Sequence, residues 1–198
     1  MIRIGIAGFM GAGKSAAARI IQSLGGAVID ADREAKSLMS SDRRIRDQLM
    51  REFGPAIVTG PEINFSVLGD LTFRSFDEMQ KLNRVVHPLL IARLRQLMQS
   101  GGAAICALDA ALIPLWGIEP WFDRLLWVRC PAQARLVRLR DKSPLSEDAL
   151  RLRMSIQERL FAEPAGAPWH MVDNSGNLDD LRAAVNAWWA QISLPSEG

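Results

Sequence analysis

The eight residues Gly8-Phe9-Met10-Gly11-Ala12-Gly13-Lys14-Ser15 constrain this chain more than any other stretch. A glycine, four intervening residues and then Gly-Lys-Ser follow the short β-branched run at 2–7 and lead into "SAAARIIQSLG" at 15–25. In that run Ala16, Ile20, Ile21 and Leu24 fall at helical spacing, and Gly25-Gly26 form the stop. Strand, glycine loop and helix in this order make a phosphate-binding loop. Successive backbone N–H groups and the helix N-terminus surround an anion, and the helix dipole favours negative charge there. Gly8, Gly11, Ala12 and Gly13 supply the backbone of that cradle. Lys14 reaches the β- and γ-phosphates, and the Ser15 hydroxyl ligates Mg²⁺. Phe9 and Met10 occupy positions that need only an open backbone path, so their side chains are expected to point away from the phosphates, with Phe9 packed on neighbouring protein.

A chain beginning this way must continue the alternation of strands and helices. "AVIDAD" at 27–32 reads as a second strand ending on two acids, "GGAAICALDA" at 101–110 as a buried strand, and "RLLWVRC" at 124–130 as another. "HMVDNSG" at 170–176 is a last short strand and turn before the helix "LDDLRAAVNAWWAQI". The intervening stretch 33–100 is mostly helical and arginine-rich, broken at 53–65 by glycines and prolines that predict loop or turns. Pro88 should kink or divide the long periodic run at 75–98. "PAQARLVRLRD" and "SEDALRLRMSIQERL" read as helices, the second capped by Ser146. The expected fold is α/β, a parallel sheet flanked by helices with helical insertions between strands.

With 198 residues and 48% of them apolar, one core domain with insertions is affordable. A formal net charge of +2 is too small to argue for nucleic acid as the main partner. No apolar run reaches membrane-spanning length, and "MIRIGIAGF" is too short and too soon broken to be a signal peptide. Cys106 and Cys130 both lie in apolar runs and read as buried thiols of a reducing, cytoplasmic compartment.

Three further acids and bases join the loop. Asp32 closes the second predicted strand, at the sheet edge where α/β folds bind ligands, and could take a proton from an attacking hydroxyl or help hold Mg²⁺. A helix cap or surface acid is the alternative, and it suits Asp30 better. Asp109 ends "AAICALD", an apolar strand with a terminal acid of the kind that holds Mg²⁺ through water; a simple strand-ending acid is the alternative. Arg138, Arg140, Arg151 and Arg153 surround "DKSPLSED" in what reads as a lid closing on a transferring phosphoryl group, and Arg140 is favoured among them. His87 and His170 lack metal-ligand spacing, and His87 beside Pro88 reads as a packing residue. Trp188-Trp189 reads as helix packing.

With the loop, "VIDAD", "HPLL", "RD", "IQ" and "DNSG" in order, the chain resembles the dephospho-CoA kinase family. "LGGAVIDADREAK" and "LNRVVHPLL" are the segments most particular to it. The resemblance, which runs from Ile2 to about Leu181, implies transfer of the ATP γ-phosphoryl group to the ribose 3′-hydroxyl of dephospho-CoA with Mg²⁺. It implies a P-loop kinase core at about 1–32, 100–139 and 166–198, a helical acceptor region at about 33–99 and a lid at about 140–165. By position Asp32 looks like the family's base, and Lys14, Ser15 and Arg140 like its phosphate, magnesium and lid residues. Asn174 falls where the family approaches the adenine, while Lys36 and His87 match acceptor-side positions. The chain departs from the family at Ala7-Gly8-Phe9, Lys36, Phe65, Leu115 and Pro168-Trp169, mostly on the acceptor side. A nucleoside monophosphate acceptor, or nucleotide binding without catalysis, remain alternatives. The oligomeric state is open.

Overall fold

A computed structural model describes residues 1–100 and 102–193. Five parallel strands form the central sheet in the order β2-β5-β1-β6-β7: β1 is Ile2–Ala7, β2 Ala27–Asp30, β5 Ile105–Asp109, β6 Arg124–Arg129 and β7 Trp169–Asp173. The loop-bearing strand β1 is central. It pairs Ile6 with Asp109 on one side and Ala7 with Trp127 on the other. A central parallel strand is covered on both faces, and residues 4–7 of β1 are accordingly all buried.

Strand alternation sorts the core into two halves. Ile4, Ile6, Ala107, Leu126 and Val128 face α1 (Lys14–Ser23) and the terminal helix α9 (Leu178–Ser193), meeting Ala17, Ile21, Val185 and Trp188. Ala7, Leu108, Leu125 and Trp127 face the other way, into a cluster with Ile45, Leu49, Val86, Leu90 and Leu94. Those come from the helical segment between β2 and β5: α2 (Ala31–Ser41), α3 (Arg43–Phe53), α4 (Phe65–Thr72) and α5 (Phe76–Ser100). Side-chain caps start each of the first three, from Asp30 to the Arg33 N–H (3.0 Å), Asp42 to that of Arg44 (2.8 Å) and Asn64 to that of Val67 (3.1 Å). Beyond β5 come a short α6 (Ile113–Trp116), then α7 (Ala132–Arg140) and α8 (Glu147–Leu160), the last capped by Ser146 as the sequence predicts (3.3 Å to the Ala149 N–H). Gly101 and the final five residues of the chain lie outside the described residues.

Four readings need correction. The second strand stops at Asp30 rather than Asp32, because Asp30 caps α2 and turns the chain into the helix. The strand predicted at 101–110 begins only at Ile105. The segment 53–65 is not all loop: Val58–Thr59 (β3) and Glu62–Ile63 (β4) pair as a small antiparallel hairpin around Gly60-Pro61. Finally, Pro88 does not divide the 76–100 run, which is one 25-residue helix. Pro88 and Arg84, whose carbonyl loses its partner, are both exposed, so water can satisfy the orphaned oxygen. The buried stripe Met79, Val86, Leu90, Leu94 and Met98 then holds the helix together. Replacing this exposed proline should therefore stabilise the fold: Pro88→Ala is expected to raise the unfolding free energy by about 1–3 kcal/mol in denaturant titration, and a loss of stability would show that the ring is needed for packing.

Candidate active site

The loop leaves the sheet at the carboxyl end of β1, between the ends of β5 and β6. Two glycines make its path possible. Gly8 (φ +147°) brings the backbone so close to β6 that a Cβ would lie 2.5 Å from the Val128 carbonyl oxygen. Gly13 (φ +105°) is left-handed, and a Cβ there would collide with the carboxamide of Asn174. That same carboxamide, at the end of β7, is buried and donates from Nδ2 to the Ala12 carbonyl oxygen (2.7 Å). On the far side the Met10 N–H donates to Gln157 Oε1 of α8 (2.6 Å). The loop is thus tied at its middle and its end by side chains remote in sequence.

Phe9 does what its position allows. Its ring stacks on Phe161 (5.3 Å between centroids), meets Trp127 edge-on (5.5 Å) and carries the Arg135 guanidinium 5.0 Å from its centroid. Arg135 is itself buried, donating to the Cys130 carbonyl oxygen (3.2 Å) and to Glu158 of α8 (2.5 Å). The side of the loop that carries Gly11, Gly13, Lys14 and Ser15 stays open to a cavity that Phe9 does not line.

Two cavities meet at Lys14. One, of about 570 Å³, lies over the loop and is lined by Ser15, Arg19, Arg138, Lys142 and Asn174. Four cations, counting Lys14, and no carboxylate give it a positive field suited to a polyphosphate. The other, of about 410 Å³, opens between the sheet edge and the helical segment. Asp32 and Lys36, one turn apart on α2, face into it together with Ala35 and Met39. A stripe of α5 at helical spacing, Met79, Asn83, Val86, His87 and Leu90, forms the opposite wall.

The sequence-predicted residues fall as follows. Gly11, Gly13, Lys14, Ser15 and Asn174 line the first cavity, and Asp32, Lys36 and His87 the second. Asp32 does so from the first turn of α2 and not from a strand end, where the sequence reading had placed it. Ala12 is buried beneath the loop, and Gly8 forms the turn out of β1. Asp109 lies at the sheet edge opposite Asp30. Burial raises the pKa of its carboxyl, while the Lys14 charge and a hydrogen bond from Ser15 act to lower it. Arg140 is not brought to either cavity: it is exposed, 3.8 Å from Glu147. Phe65 lines the second cavity beneath the Lys36 ammonium (6.0 Å to the ring centroid), whereas Leu115 packs into the core instead.

Sequence reasoning missed Arg19, Lys142, Gln157, Asn83 and Trp116, and passed over Arg138 in favour of Arg140. Arg19 was within reach, since it lies one helical turn beyond Ser15. Asn83 sits one turn before His87 on the same stripe. Gln157 belongs to the "IQ" that contributes to the resemblance but was given no role, and Trp116 carries no local signal, because tertiary packing alone brings it to the site.

His87 meets Trp116 edge-on at 5.4 Å, and burial lowers its pKa to about 4, so its ring is neutral near pH 7. The Asn83 side chain is 7% exposed, and its Nδ2 has no partner; neither has the buried Nε1 of Trp116. A buried donor left unpaired costs about 1–3 kcal/mol.

No group of three or more His, Cys, Asp and Glu side chains converges as a metal site among the described residues. Mg²⁺ in phosphoryl transfer needs only one or two protein ligands, the rest being phosphate oxygens and water. Ser15 and Asp109, close enough for the hydroxyl to lower the carboxyl's pKa and flanked by the charges of Asp30 and Asp32, fit that donor set.

These features agree with comparisons to known proteins. The model of the dephospho-CoA kinase family matches residues 2–180. A Coxiella burnetii dephospho-CoA kinase is 33% identical over 187 residues, covering 93% of this chain and 94% of the relative. A crystal structure from Thermus thermophilus superposes with a TM-score of 0.71 at 29% identity, covering 98% of both chains. The dephospho-CoA kinase from Campylobacter jejuni, at 20% identity, shares the fold with a TM-score of 0.62 over 96% of this chain and 97% of its own. With nearly its whole length matched, the chain belongs to the dephospho-CoA kinase family.

Proposed function

We propose that the protein transfers the γ-phosphoryl group of ATP to the ribose 3′-hydroxyl of dephospho-CoA, giving coenzyme A and ADP, in the cytoplasm. The observation that carries this reading is Lys14 standing in the walls of both cavities, with a cationic pocket on one side and Asp32 on the other. In that arrangement the phosphates of ATP lie in the loop, and the acceptor enters between α2 and α5. The helical segment at about 33–99 is then the acceptor region, and the segment at about 140–165 the lid.

Each residue has a separable task. The loop N–H groups and Lys14 hold the β- and γ-phosphates, and Arg19, Arg138 and Lys142 add charge around them. Asp32 accepts a hydrogen bond from the 3′-hydroxyl and takes its proton as the oxygen bonds to the γ-phosphorus. The bond from that phosphorus to the β–γ bridging oxygen breaks, and ADP leaves with the electron pair. Ser15 and Asp109 hold Mg²⁺, which supplies neutralisation of phosphate charge when bound. Arg140 leaves Glu147 for the phosphoryl group as the 141–146 loop closes. Asn174 approaches the donor nucleotide from the end of β7 while bracing the loop. Lys36 and His87 bind the acceptor, with Phe65 beneath the Lys36 ammonium.

A coupled ADP-release assay tests the reading, with ATP, Mg²⁺ and either dephospho-CoA or nucleoside monophosphates as acceptors. Turnover with dephospho-CoA is expected, and turnover with monophosphates alone would overturn the assignment. In the same assay Asp32→Ala should keep the affinity for ATP but lose about 10²–10⁴-fold in kcat; near-normal turnover would remove Asp32 as the proton acceptor.

The burial of His87 has a consequence for stability. Its folded pKa of about 4 lies below the ordinary histidine value of 6.5, so between the two the unfolded chain binds the extra proton. Stability must fall as the pH drops from about 6.5 toward 4. His87→Gln is expected to flatten that part of the melting-temperature profile, and identical slopes for the two proteins would show that His87 carries none of it.

A further inference from the structure

The acceptor cavity contains polar groups for which the phosphoryl transfer just described has no use. Asn83 lies in its α5 wall, is more than nine-tenths buried and has an unpartnered Nδ2. Trp116 lines the same cavity from α6, likewise with an unpartnered Nε1. Around them the wall is apolar, built from Phe65, Leu68, Met79 and Val86. Buried donors are normally paired, and two without partners in one pocket mark a place where a ligand supplies the missing acceptors.

Resting on the proposed function, the chemistry of the acceptor decides which part of it belongs there. The reacting hydroxyl must lie between Lys14 and Asp32. Its ribose carries two arms, a diphosphate-bearing chain at the 5′ carbon and a purine at the 1′ carbon. A diphosphate would find no cation against the wall formed by Asn83, Trp116 and their apolar neighbours, since the cations lining this cavity are Lys14 and Lys36. A flat heteroaromatic base suits apolar and aromatic walls. The Asn carboxamide presents a donor and an acceptor side by side, the pattern that pairs with the 6-amino group and a neighbouring ring nitrogen of adenine.

We propose that Asn83 reads the adenine base of the acceptor through a paired hydrogen bond, with Trp116 Nε1 as a second donor to the base, making Asn83 the residue that sets base specificity on the acceptor side. The donor side is untouched by this assignment, because Asn83 does not line the cavity over the loop.

The test compares kcat/KM for dephospho-CoA with that for its analogue lacking the 6-amino group, which leaves the carboxamide oxygen unpaired. The wild-type protein should prefer the adenine compound by at least about tenfold. In Asn83→Leu, which removes both the pair and the orphaned donor while roughly keeping the volume, the preference should shrink to within about threefold, with KM for ATP unchanged. Asn83→Ser serves the same comparison should the leucine variant fold poorly. A purely structural asparagine would lower kcat/KM for both acceptors equally, so an unchanged ratio in the variants overturns the proposal. So does a wild-type protein that does not discriminate. Absence of turnover with dephospho-CoA in the wild type is a different result, which overturns the proposed function itself and this assignment with it.

Discussion

Everything in this molecule is arranged around one stretch of backbone that only glycines allow, the loop from Gly8 to Gly13. The Ala12 N–H bonds the Phe9 carbonyl within the loop (3.1 Å) and the Met10 N–H bonds a side chain outside it, which leaves other N–H groups of the loop and helix start to an anion or to water. The conformation persists because it is tied from outside: Asn174 holds the Ala12 carbonyl, Gln157 holds the Met10 N–H, and Phe9 is wedged between Trp127 and Phe161. These ties come from β6, the end of β7, α8 and the residue that ends it, so later parts of the chain close on the first turn after β1. The fold is in that sense a clamp for six residues.

The second consequence of the clamp is the position of Lys14. As the first residue of α1 it stands at the mouth of the sheet, where the cationic cavity over the loop and the more apolar cavity between α2 and α5 meet. Their linings divide the labour by chemistry. Around the loop, four cations and no carboxylate make a field that suits a polyanion. Between α2 and α5, a carboxylate one helical turn from a lysine faces a wall of apolar side chains broken by Asn83 and His87. Transfer requires both ligands to reach the one side chain common to both.

The loop with Lys14 and Ser15 was legible in the sequence, because its residues are contiguous and their geometry is dictated locally by glycine, a strand and a helix start; of the other cations around it, Arg19 and Lys142 were missed and Arg138 was passed over. The acceptor half was only partly legible. Asp32 was found as a candidate but placed on the wrong element: Asp30, which suited a helix cap better, does cap α2 and so ends β2 two residues early. Lys36 and His87 were found by resemblance. Phe65, noted as a departure from the family, does reach the cavity, whereas Leu115 is turned into the core by the short helix that carries it. Gln157 and Trp116 come to the site through tertiary packing, which periodicity cannot reveal. The proline in α5 misled for a related reason: propensity argued for a break, and burial of one stripe of the helix overrode it.

The claim at the centre is that the acceptor oxygen activated beside Lys14 and Asp32 is the 3′-hydroxyl of a ribose. The most direct measurement is ³¹P nuclear magnetic resonance of the product formed from dephospho-CoA, ATP and Mg²⁺, with the attachment carbon read from its coupling to the ribose protons. A new phosphomonoester coupled to the 3′ proton, with the diphosphate signals of the acceptor retained, is the result predicted. A phosphoryl group on the 2′ carbon, or ATP hydrolysed to ADP and free phosphate with the acceptor unchanged, would contradict it.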